Sequence, residues 1–418
     1  MAALGAADAV RRLSQEEVDA ICARHERLWA ARPGGARAVF AWTDLSGLDL
    51  SGRNLCDADF TGAHLAGCNF ARSRLDNASL FGADMQDCNI TEASLRRADL
   101  RGACLRGADL TAADMFECDL REGSIAAVDA EKGLRVLQPT ARASEARGAI
   151  LAGANLERSK LSGVIAVRAD FSDAILKDAK LIRANLKQAK MAGCDFAGAD
   201  LSGADFSGAD LRDAVLVGAI LVSACFDDVD MSAVLTDAPK GDDVAGLPYD
   251  EMLQAHALWC ETEGAEGAPS CFDHADLRRL GSIRGYNLTA LSAKAAVFYG
   301  LDMEGVQLQG AHLEDADFRG CNLRRADLRG ARLARAKLAG ADLRDAQLGP
   351  LLIDNERILA CDLSGASLKG TDCSGADLRQ ALLTGADLSR ANFSRALMKQ
   401  ADLSEAEVRG ARGLQDAF

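Results

Sequence analysis

The feature that most constrains this chain is a beat of five. From Leu45 to Ile125 every fifth residue is large and apolar, beginning Leu45, Leu50, Leu55, Phe60, Leu65 and Phe70, seventeen positions without a miss. Two residues before each of them, from Ala58 to Gly123, stands only Ala, Cys, Ser or Gly. A second run, one residue out of phase, goes from Leu151 to Met231 with Ala166 its weak member, and a third from Ile283 to Val408 is weakened at Ala293 and Cys373. Together these sixty units take up 300 of the 418 residues. Five fits neither the 3.6 of a helix nor the 2.0 of a flat strand. Residues two apart in an extended segment point the same way, so the small residue and the following large one face inward together. Since five is odd, the next unit can face inward only if the chain bends once per repeat. Repeated bends wind it into a coil whose turns stack through parallel strand-type hydrogen bonds.

On these residues, Ala108-Asp109-Leu110-Thr111-Ala112 and Gly203-Ala204-Asp205-Phe206-Ser207 resemble the A(D/N)LXX motif of the pentapeptide-repeat family. The resemblance implies an all-β solenoid, a right-handed quadrilateral β-helix with about 20 residues per coil. Proline, which cannot donate to a ladder, is kept out of the runs at Pro33, Pro139, Pro239, Pro248 and Pro269. Pro350 falls in an irregular stretch, 349–359, where Leu348, Ile353, Ile358 and Leu363 stay five apart, and which reads as a distorted coil.

A stacked coil needs its ends covered. Ser14-Gln15-Glu16-Glu17 reads as a capping box, with Leu13 and Val18 as its hydrophobic staple and Val18, Ile21, Cys22, His25 and Leu28 or Trp29 on one helical face. Around residue 250 the device recurs, with His256, Trp259, Gly264, Gly267, Phe272 and Leu277. The expected organisation is a capping helix and link over 1–39, a first solenoid over 40–231 with a loop insertion at 126–149, a linker with a second capping helix over 232–282, and a second solenoid over 283–418.

The chemistry is sparse. Thirteen cysteines form no CxxC pair, and Cys68, Cys88, Cys118, Cys194, Cys321 and Cys361 occupy the small inward position in place of alanine. The five histidines show no HxxxH or HExxH spacing, and the aspartates before the large residues recur too regularly for a catalytic pair. No catalytic residue, metal site or cofactor is expected. With 62 Asp and Glu against 48 Lys and Arg and a formal net charge of −14, direct nucleic-acid binding is not expected. No run approaches 18 apolar residues and the N-terminus lacks a signal-like stretch, so the expectation is a cytoplasmic protein of bacterial type, off the membrane.

What remains is surface. Outward residues 20 apart share a face, which places Asp170, Asp173, Asp210, Asp213 and Asp230 in an acidic stripe broken by Lys190. Some pentapeptide-repeat proteins are similar to a DNA duplex in size and charge and occupy type II topoisomerases. A basic stripe of Arg319, Lys337, Arg357, Arg379 and Lys399 argues instead for a mixed, solvated exterior. The outward Val215, Val217, Ile220 and Val222 are expected to receive the mid-chain helix around Trp259, and Leu382 and Leu397 form a smaller outward pair open to a partner. The reading is a non-enzymatic, rigid scaffold for protein partners, a second copy of the chain among the candidates. The alternative is a DNA-mimicking modulator of DNA gyrase.

Overall fold

The computed structural model describes residues 10–123, 143–238, 248–353 and 357–414, and the backbone of two short strands, β3 (Val128–Asp129) and β4 (Gly133–Leu134). The chain divides into two compact units, Met1–Ala238 and Pro239–Phe418.

In the first unit the residue before each large apolar position pairs in parallel with the residue twenty further on: Val39 with Asp59, Asp44 with His64, Asp49 with Asn69, Asn54 with Arg74, then Asp59 with Ser79. Four ladders therefore serve one coil, and the architecture is a β-helix. Each large residue points to the axis and is sealed there; Leu45, Leu50, Leu55, Phe60 and Leu65 expose nothing. Aromatic rings a coil apart stack, Phe40 on Phe60 with centroids 4.9 Å apart. Turns follow the axis residues of the regular coils. Leu48 N–H donates to the Leu45 carbonyl at 3.0 Å, and Gly47 takes φ +77° at the third position of that turn. Non-glycine residues accept the same corner, as Arg72 does at φ +58°. The aspartate before the axis residue steadies the bend: Asp44 Oδ1 accepts Ser46 N–H at 2.9 Å, and Asp49 Oδ1 accepts Ser51 N–H at 3.0 Å. These carboxylates are turn-makers, which is why they recur.

The first coil's free edge is met from the N-terminal side. A strand β1 (Arg11–Arg12) pairs in parallel with β2 (Thr43–Asp44). On the next face the Gln15 carboxamide stands in for a strand, its Nε2 donating to Asp49 O and its Oε1 accepting Asp49 N–H, both at 2.9 Å. On the third, Trp29 Nε1 donates to Cys56 O at 3.3 Å. Gln15 and Trp29 are the two ends of helix α1 (Gln15–Trp29), whose N-terminus carries the capping box: Glu17 N–H donates to Ser14 Oγ and Ser14 N–H to Glu17 Oε2. Those bonds, with Arg11 beside it, hold the Glu17 carboxyl below its usual range.

After Gly123 the ladder jumps. Cys104 pairs with Glu145 and Asp109 with Ile150, a step of 41 in place of 20. The one-residue phase shift between the first two runs is the odd residue of that step. Ile125 lies outside the described residues, and Ala146 and Ala149 are already in the core, inside the 126–149 interval.

The second unit opens with α2 (Tyr249–Glu261), which buries Tyr249, Leu253 and His256, the first two sitting with Phe272 and Leu277 in that unit's core. Cys271 and Asp276 pair 21 residues on, with Ser292 and Val297, and regular steps of 20 begin at Ser282 with Asp302. A 3₁₀ turn at Arg278–Leu280 holds the extra residue. The stretch 349–359 differs from the expected distorted coil. The ladder steps from Arg332 to Asp362, and ten residues leave it as an antiparallel hairpin of β5 (Leu351–Leu352) and β6 (Ile358–Leu359). Ten is two beats, so the phase survives although the residues have left the axis: Ile353 and Ile358 are 54% and 60% exposed.

Candidate interaction surfaces

Charge on the exterior is organised within pentads. Residues two apart share a face, so the Asp before an axis residue and an Arg after it stand side by side. Asp317 and Arg319 pair at 2.6 Å, as do Asp327 and Arg329, and Asp377 and Arg379; Asp99 and Arg101 pair at 2.7 Å. The guanidinium grips through two nitrogens, as Arg319 Nε and Nη2 donate to the two oxygens of Asp317. The Arg379 bond holds the Asp377 carboxyl below its usual range. Read as a bare list of charges, the sequence does not reveal these clamps. The signal was the recurrent Asp-x-Arg centred on an axis residue, present at Asp99-Leu100-Arg101, Asp210-Leu211-Arg212 and Asp317-Phe318-Arg319.

The acidic stripe of the first unit is partly offset by the same logic. Asp170, Lys190, Asp210 and Asp230 are successive rungs of one ladder. Lys190 Nζ lies 3.6 Å from Asp170, and Arg212 pairs with Asp210 at 2.6 Å while its Nε reaches Asp230 at 3.6 Å. Arg212 is the largest cause of the lowered Asp210 pKa, and the Ser232 hydroxyl that of Asp230. Asp173 and Asp213 sit apart, at corners with φ +58°. On the basic stripe, Arg319 is clamped and only 8% exposed.

The apolar candidates divide. Val215 is buried and Val217 half-buried, whereas Ile220 and Val222 are exposed. Trp259 is half-buried, its ring 5.7 Å from that of His256. In the second unit Leu382 and Leu397 pair in neighbouring ladders, with Asp362 and Asp377, and are 38% and 52% exposed. The hairpin adds Leu352 together with Ile353 and Ile358, the last two of which the five-residue beat had placed in the axis. Its other side is seated, Leu351 and Leu359 lying over Gly330, where an added Cβ would fall 2.7 Å from Leu351.

The inward thiols are inert by burial. Cys68 Sγ donates to Leu45 O and Cys88 Sγ to Leu65 O, both at 3.0 Å, and burial pushes Cys68 up to about 11 and Cys88 higher. Cys271 is exposed. Titration of the native protein with a thiol-reactive chromophore is expected to modify Cys271 first and leave Cys68, Cys88, Cys118, Cys194 and Cys321 unreacted until denaturant is added; their early reaction would contradict the buried positions. Among the described residues no group of three or more His, Cys, Asp or Glu is placed to hold a metal, and no helix is long and apolar enough to cross a membrane.

With the ladder in view, the sequence model for pentapeptide repeats matches residues 36–123, 145–232, 311–348 and 361–412. The chain belongs to the pentapeptide-repeat family. No curated protein matches it. Among solved structures, this pentapeptide-repeat chain is similar to HetL of Nostoc sp., a pentapeptide repeat protein involved in heterocyst differentiation regulation, at 24% identity over 95% of each chain with a TM-score of 0.13. It is also similar to full-length QnrB1, a plasmid-mediated fluoroquinolone resistance protein, at 19% identity over 53% of this chain and 99% of that one, with a TM-score of 0.25.

Proposed function

We propose that each unit is a right-handed, square-sectioned β-helix closed at its starting end by its helix, and that the protein serves in the cytoplasm as a rigid, non-enzymatic platform for other proteins. The observation that carries this reading is the ladder with its filled axis. Side chains twenty residues apart recur at about 4.8 Å, so a partner can be recognised by spacing along a face. A stiff lattice loses little conformational entropy when it binds. The exposed pair Leu382 and Leu397 is the proposed contact in the second unit, and a second copy of the chain is among the occupants it would suit. The gyrase-mimic alternative is disfavoured by the Lys190 and Arg212 pairs, which interrupt and partly offset the acidic row a duplex would present.

Two measurements test the proposal together. Purified protein at micromolar concentration is expected to leave supercoiling by DNA gyrase unchanged; inhibition or protection there would install the mimic in its place. The double variant Leu382→Glu, Leu397→Glu is expected to lower binding of proteins captured by the wild type at least tenfold, with an unchanged melting temperature. Undiminished binding would remove that face from the interface.

A further inference from the structure

Both units begin with the same histidine arrangement. His25 of α1 exposes no surface, and its Nδ1 accepts the backbone N–H of Ala38 at 3.0 Å. His256 of α2 is 1% exposed, and its Nδ1 accepts the backbone N–H of Ser270 at 2.9 Å. Ala38 and Ser270 each stand two residues before the first axis ring of their unit, Phe40 and Phe272. The far nitrogen faces the first coil in both cases. His256 Nε2 meets Thr289 O at 3.1 Å, while His25 Nε2 forms no hydrogen bond, the nearby Cys56 O being taken by Trp29. A backbone N–H can only donate, so Nδ1 must be unprotonated in both rings, and each imidazole ties a helix to the start of its coil only while neutral.

We infer that His25 and His256 are acid-released latches: protonation of Nδ1 sets N–H against N–H, lets the helix leave, and bares the first coil's backbone edge and axis. The surroundings favour the neutral ring. Around His25 stand Asp57 from the coil, Arg37 from the link and Glu26 on its own helix; burial is the largest influence and holds the ring below the ordinary histidine range, the Cys56 carbonyl and the two acids opposing it. Around His256 are the Thr289 carbonyl, the Trp259 ring and the Cys260 thiol, which points at the same carbonyl; burial again wins and the pKa is lowered. A released ring titrates near 6.5, so the released state binds more protons. The latch is at full strength above that pH and is lost as the pH falls below it toward the depressed folded values.

Hydrogen exchange on the full chain at pH 7.5 and 5.0, normalised to the central coils 171–200 and 311–340, reads this directly. The expected result is at least a tenfold rise in normalised exchange over 15–60 and 249–290 at the lower pH. In the double variant His25→Asn, His256→Asn, whose carboxamide oxygen can accept the same amide without titrating, that rise should vanish. Equal normalised exchange at both pH values in the wild type, or an equal rise in the variant, overturns the inference. Should the variant fail to fold, imidazole titration by NMR in the native chain decides: a pKa of 6.5 or above at either residue overturns it, and lower values at both uphold it.

Discussion

Replacing Leu181 with aspartate will abolish cooperative folding of the first unit around that coil while the second unit melts as before. Leu181 has no exposed surface, and the axis above and below it is Leu161 and Leu201. An unpaired carboxylate there has no donor in reach; together with the lost packing, its cost exceeds about 5 kcal/mol, as much as many domains have in total. Leu181→Ala, which only opens a cavity, should cost about 2–5 kcal/mol. Because a solenoid's stability is close to a sum over neighbouring repeats, the damage should centre on residues 161–201 and fade along the unit. Calorimetry with exchange mapped by unit checks this. A melting temperature within a few degrees of wild type would mean that the side chain at 181 is not in the axis.

The second large effect concerns the starting edge. Val18 is fully buried on the inner face of α1, beside Cys22, whose thiol burial pushes up to about 11. Val18→Asp is expected to cost more than about 3 kcal/mol locally, which is over a hundredfold in the opening of α1. With α1 gone, the groups that Gln15 and Trp29 occupy at Asp49 and Cys56 become an open strand edge. The variant should therefore self-associate in a concentration-dependent way by light scattering, with lost amide protection over Gln15–Trp29. A monomer that keeps its protection would show that α1 does not guard that edge.

How much could be read in advance follows the same physics. A beat of five with a small residue two places earlier has one cheap solution, so the axis from Leu45 onward was legible residue by residue. The step of 41 after Gly123 was visible because it leaves a remainder of one. The hairpin was not: its ten residues are two beats, so Ile353 and Ile358 keep time with the axis while pointing outward. Turn-making by Asp44 and its equivalents was within reach of a sequence reading. The Asp-x-Arg clamps escaped a tally of stripes, since a tally sums charges along a face without asking which neighbours cancel. The Gln15 carboxamide posing as a strand left no trace in periodicity, because one side chain replaced a segment.

The excursions also bear on how such a chain can change. Arg332 hands its ladder directly to Asp362, and Lys337, Asp342 and Gln347 likewise find partners thirty residues on. The rows below and above the hairpin therefore stay in line whatever has been spliced between them. Length can be added or trimmed at that point without disturbing the ruler on either side, leaving the outgrowth free to diversify while the graduations stay fixed.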